Sequence, residues 1–77
     1  MRYDLEHMYR NPAGYRDVYF ARAAIERGWV LARVRGSHQV FARAGWPVVV
    51  AIPIGVQKSG TKRAIVRALI DEESGND

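Results

Sequence analysis

A chain of 77 residues that is 48% hydrophobic and 10% aromatic has material for one packed core and is too apolar for wholesale disorder, so it reads as a single domain. It has no cysteine, hence no disulfide framework or thiolate zinc site, which fits a reducing cytoplasm; its N-terminus mixes charges and its longest apolar stretch spans residues 46–54, which indicates neither a signal peptide nor a membrane span. The net charge is +4, and all eight acids lie before Gly28 or after Ile70, leaving Arg33, Arg35, Arg43, Lys58, Lys62, Arg63 and Arg67 in an acid-free interval that favours RNA, DNA or an acidic protein partner.

Residues 1–15 form an N-terminal extension with two readings. Asp4 can cap a short helix through Leu5, Met8 and Tyr9, stopped by Asn11-Pro12 and redirected at Gly14, or the segment can be a flexible arm. Residues 16–27 predict a helix, with Asp17 in the first turn, alanines at 21, 23 and 24, and a stop at Gly28. Val18, Ala21, Ala24, Ile25 and Gly28 form its expected packing stripe, with Arg22 and Glu26 pointing outward.

The pattern then switches to a period of two. Residues 29–35 predict a strand in which Val30, Ala32 and Val34 alternate with Leu31, Arg33 and Arg35. Gly36-Ser37 makes a tight turn, and residues 38–43 return as a second strand. Ala44-Gly45 turns the chain into a third strand over 47–53, whose Pro47 and Pro53 lack donors and belong at strand ends or on a sheet edge. A loop over 54–59 leads to a second helix, capped by Ser59 or Thr61 and running to about Ile70. Its stripe is Ile65, Ala68 and Leu69, joined by Ala64, while Lys62, Arg63 and Arg67 face water or a ligand. Residues 71–77 are expected as a frayed acidic tail. The order is helix, three antiparallel strands, helix: an α+β fold of two layers.

Few of these residues can do chemistry. No carboxylates cluster, no histidines stand at ligand spacing, and phosphate-loop fingerprints are missing. His38 remains. An imidazole ordinarily titrates at about 6.5, which lets it give or take a proton near neutrality. With Gly36-Ser37 as a two-residue hairpin loop, Arg35 faces His38 and Arg33 faces Val40 on the same sheet face, where guanidiniums can hold phosphates. A slip of one residue would send both arginines to the other face.

The run from Gly28-Trp29 through Arg33 to Gly36-Ser37-His38-Gln39-Val40-Phe41, followed by Val50-Ala51-Ile52-Pro53 and the Ser59-Gly60-Thr61-Lys62-Arg63-Ala64-Ile65 helix start, resembles the HicA toxin family, also called YcfA-like, over residues 16–70. The resemblance implies an α-β-β-β-α domain like those that bind double-stranded RNA. It also implies an mRNA-cleaving endoribonuclease that uses no metal or other cofactor, acts as the toxin of a toxin–antitoxin pair and is neutralised by a HicB-type antitoxin. His38 matches the family's catalytic histidine. Gln39 stands where many members carry a second histidine, and Ile54-Gly55 where a further one often follows the third strand. Proton transfer at the second oxygen therefore falls to Lys58, an arginine or water.

These readings combine into one expectation: His38 acts as general base or acid on RNA, and Arg33, Arg35, Ser37, Lys58, Lys62 and Arg63 bind the polymer. A non-catalytic RNA-binding module that grips structured RNA by shape is the alternative, and a basic face for an acidic protein mate is a third.

Overall fold

Asp4 opens the first helix of the computed structural model, which describes residues 2–73. Helix α1 spans Leu5–Arg10, and the Asp4 carboxylate accepts the backbone N–H groups of Glu6 at 3.0 Å and His7 at 3.4 Å. These are donors that a helix start leaves without partners. Leu5 and Met8, three residues apart, are both buried, which holds the segment as a helix on the core and not as an arm. Pro12–Gly14 adds one 3-10 turn.

Helix α2 spans Asp17–Glu26 and buries Phe20, Ala23 and Ala24, with Arg27 buried just beyond its end. This corrects the expected stripe. Val18 is half-buried, Gly28 is exposed and Ile25 is 57% exposed. Phe20 and Ile25 stand about 140° apart around the helix at roughly 100° per residue, so they cannot both face one core. The aromatic ring occupies it. Arg22 does point outward, but Glu26 turns inward and accepts the N–H groups of Arg2 at 3.0 Å and Tyr3 at 3.1 Å. Beside it the Arg27 guanidinium donates to the carbonyls of Ala23 at 3.2 Å and Tyr3 at 2.8 Å. Neighbouring acid and base together tie the N-terminal segment to the end of α2.

Strands β1 (Val30–Arg35), β2 (His38–Ala42) and β3 (Val50–Pro53) form an antiparallel sheet in the order β1-β2-β3. Trp29 leaves the strand period and is buried, and residues 47–49 precede β3 without pairing. Gly36 sits at φ 59° in the hairpin turn, a region costly for residues with a Cβ. Gly36→Val should therefore cost about 1–2 kcal/mol, with Gly36→Asn costing less; urea denaturation of the two variants reads the difference.

The register places Arg35 opposite His38, Val34 opposite Gln39 and Arg33 opposite Val40, then shifts at a bulge between Leu31 and Arg33 so that Leu31 faces Phe41 and Val30 faces Ala42. The extra residue breaks the uniform alternation expected of β1. Leu31 now shares a face with Val34, while Arg33 and Arg35 share the other.

Phe41, Val50 and Ile52 meet Phe20, Ala23 and Ala24 of α2 in one core. Helix α3, Ser59–Glu73, adds Ile65, Val66 and Leu69. It passes the expected end near Ile70, so part of the acidic tail is helical; residues 74–77 of that tail lie outside the described residues. The architecture is α+β, with a three-stranded antiparallel sheet and its helices packed on β2 and β3. Among the described residues they do not extend over β1, whose six residues are all exposed. Among the described residues no helix is long and apolar enough to cross a membrane.

Candidate functional site

Two rows of side chains cross the sheet on the face away from the main core. Pairing of β1 with β2 and of β2 with β3 sets Arg35, His38 and Pro53 in one row and Arg33, Val40 and Ala51 in the next. The hairpin loop fixes this arrangement, because two residues between strands leave one register. The guanidinium-bearing positions and the imidazole are thus direct or diagonal neighbours, as the two-residue turn predicted. Arg33, Arg35, Ser37 and His38 are all exposed. Among the described residues, none of these four side chains is engaged in a hydrogen bond or ion pair, so their polar groups are available to a ligand.

The turn is held from two sides. The backbone N–H of Ile54 donates to the Ser37 carbonyl at 2.6 Å, extending the β2–β3 ladder to the residue before His38. The next N–H, of Gly55, donates to Asp17 Oδ2 at 2.7 Å, while Asp17 Oδ1 accepts from Val18 at 2.8 Å. Asp17 therefore locks the start of α2 to the loop that locks the hairpin. Sequence reasoning gave Asp17 only a helix-start role. Its contact across 38 positions has no local signature.

His38 also lines a groove of about 300 Å³ between β3 and α3, whose other walls include Ala51, Pro53, Thr61, Ala64 and Ala68. Apart from the imidazole and the Thr61 hydroxyl these walls are apolar. The site is a cationic sheet face with an apolar recess beside its imidazole. Gln39 points to the opposite face, opposite Ile52, and is half-buried. Residue 39 therefore cannot serve as the second proton carrier next to His38 in this register.

The remaining basic residues separate. Lys58 is exposed immediately before α3. Lys62, expected to face water or a ligand, is only 5% exposed; it lies on the helix face of Ile65, Val66 and Leu69, where its four-carbon stem packs as an aliphatic chain. Arg63 is exposed but turns to α1, where it donates to the Tyr9 carbonyl at 3.0 Å and lies 5.8 Å from the Tyr9 ring. Arg67 approaches the same ring at 5.6 Å. Its pKa is raised above the ordinary arginine value, first by its hydrogen bond to the Tyr9 hydroxyl and further by the nearby Asp71 carboxylate. Arg63 and Arg67 thus clasp α1 to α3 instead of joining the His38 row.

The second histidine contrasts with His38. Its Nδ1 is 2.6 Å from the Tyr15 hydroxyl, and its Nε2 is 3.4 Å from Asn11 Nδ2. Both ring nitrogens of His7 are engaged within the N-terminal segment, so it is a structural residue. Among the described residues no three groups of metal-ligating type converge.

No protein-family model, curated protein or solved structure matches this chain.

Proposed function

We propose that the chain is an endoribonuclease in which His38 moves the proton and Arg35 and Arg33 hold the scissile phosphate. The observation that carries this reading is the register: Arg35 stands opposite His38, with Arg33 diagonal to it on the same sheet face, and all three residues are exposed. As general base, His38 takes the proton of a ribose 2′-hydroxyl. The 2′-oxygen then attacks phosphorus, the bond to the 5′-oxygen breaks, and that oxygen takes a proton from Lys58, an arginine or water. The guanidiniums offset the charge that builds on the phosphorane oxygens. As general acid on the leaving oxygen, His38 would serve the reverse assignment. The apolar recess between β3 and α3 suits the face of a base or ribose next to the cleaved bond.

The resemblance to HicA toxins supplies the biological setting of this proposal. It is a fold related to double-stranded RNA-binding domains, an mRNA target in the cytoplasm, and a HicB-type antitoxin that covers the site. A substrate carrying a 2′-deoxy sugar on the 5′ side of the bond lacks the nucleophile. RNA should be cut in the presence of a chelator to leave a 2′,3′-cyclic phosphate, and the deoxy-substituted strand should stay whole. Cleavage of both strands at equal rates would remove the 2′-oxygen from the mechanism.

One observation favours a second reading. Among the described residues no side chain hydrogen-bonds the His38 imidazole, whereas catalytic bases are commonly fixed by a partner. A non-catalytic module would bind RNA through the same arginines, lose affinity steeply with salt and cut nothing. The cleavage assay separates the two.

A further inference from the structure

Among the described residues, strand β1 lies at the edge of the sheet and pairs with β2 alone, and all six of its residues are exposed. An edge strand offers a row of unpaired N–H and C=O groups, and proteins usually blunt such edges with prolines, covering elements or very short strands. The other edge, β3, follows that rule. It is four residues long, ends in Pro53 and has α3 packed along it. β1 is longer, carries no proline and exposes Val30 by 65%, Leu31 by 45% and Val34 by 53%. Large apolar side chains on an open strand edge mark an interaction surface.

Charge selects the occupant. Arg33 and Arg35 project on one face of β1, Leu31 and Val34 on the other, and no acid lies anywhere between Gly28 and Ile70. A second copy of this chain is a poor match, since antiparallel self-pairing would gather two arginines from each copy on one short ladder, where like charges repel. RNA is a poor match for the edge itself, because a sugar-phosphate chain neither continues a β-ladder nor covers valine and leucine. We infer that β1 is a docking edge for a partner protein that adds an extended strand of alternating acidic and apolar residues. Its carboxylates would face Arg33 and Arg35, its apolar residues Leu31 and Val34.

This inference does not depend on RNA cleavage. Taken together with the ribonuclease reading, the same carboxylates would occupy the guanidiniums assigned to phosphate, so partner and RNA would exclude one another.

The test uses the full chain and a short acetylated, amidated peptide alternating Glu and Val. Its controls are a version interrupted by a central proline and a Lys–Val counterpart. The Glu–Val peptide should bind and slow amide hydrogen exchange at residues 30–35, and the proline version should bind at least about tenfold more weakly, since it keeps the charge and loses the strand. Arg33→Glu with Arg35→Glu should weaken the Glu–Val peptide by a similar factor and gain affinity for Lys–Val. Unprotected β1 amides, or equal binding by the proline version, would overturn the proposal. So would self-association of the free chain through β1 in sedimentation, or an RNA oligonucleotide that protects the same amides in preference to the peptide. The peptide comparison on the unmodified chain stands even if the charge-reversed variant folds poorly.

Discussion

Replacing His38 with alanine is expected to slow RNA cleavage by on the order of 10² to 10⁴ while leaving the fold intact. The magnitude follows from what one positioned acid or base contributes, and no second imidazole stands ready to take over. The histidine closest in chemistry, His7, has both ring nitrogens engaged with Tyr15 and Asn11, and Gln39 lies on the opposite sheet face. The fold should tolerate the change because His38 is exposed and its side chain makes no hydrogen bond among the described residues. Surface substitutions of this kind usually stay within about 0.5 kcal/mol. The decisive measurement is a single-turnover rate on RNA for parent and variant, alongside RNA affinity at two salt concentrations. The expected pattern is a lost rate with affinity nearly unchanged, since Arg33 and Arg35 remain. A variant that cuts at the parent rate would detach the chemistry from this residue. Loss of affinity and rate together would move His38 from proton transfer to binding.

Substituting the arginines should give the complementary pattern. Arg35 is directly opposite His38 and Arg33 one row away. If they hold phosphate, each removal weakens binding for all RNA sequences alike and flattens its dependence on salt.

How much of this was legible in the sequence depends on the range of the interaction that decides each feature. The Arg35–His38 pairing follows from two turn residues, Gly36 and Ser37, because a hairpin loop of that length sets its register locally. The helix cap at Asp4 is also local, a carboxylate reaching the next two N–H groups along. The α2 stripe was misplaced because Val18, Ala21 and Ile25 satisfy helical spacing as well as Phe20, Ala23 and Ala24 do. Only packing against β3 and α3 decides which set turns inward. The bulge in β1 left no mark on a sequence that alternates smoothly from 30 to 35. Lys62 looked like one more cation in a basic run, yet its backbone position on the buried face of α3 outweighs the preference of an ammonium for water. Glu26, expected to point outward, is held by N–H groups more than twenty residues away. The Asp17 to Gly55 bond is likewise non-local, and no pattern of neighbouring residues announces it.

The second large effect lies on the other face of β2. Phe41 is 1% exposed, pairs with Leu31 on one side and Val50 on the other, and belongs to the central core cluster. Phe41→Ala should lower the unfolding free energy by about 3–5 kcal/mol, from lost transfer energy and the cavity left behind. A domain of this size holds only a small number of kcal/mol in total, roughly 0.05–0.15 per residue, so the variant should be largely unfolded at temperatures where the parent is stable. Phe41→Leu, which keeps most of the volume, should cost less. Urea denaturation of the three proteins gives the order parent, Phe41→Leu, Phe41→Ala. A cost below about 1 kcal/mol for alanine would place the core elsewhere. The pair also separates structure from chemistry on a single strand: Phe41→Leu should retain most RNA cleavage at a lowered melting temperature, whereas His38→Ala, three positions away on the opposite face, should retain the melting temperature and lose the cleavage.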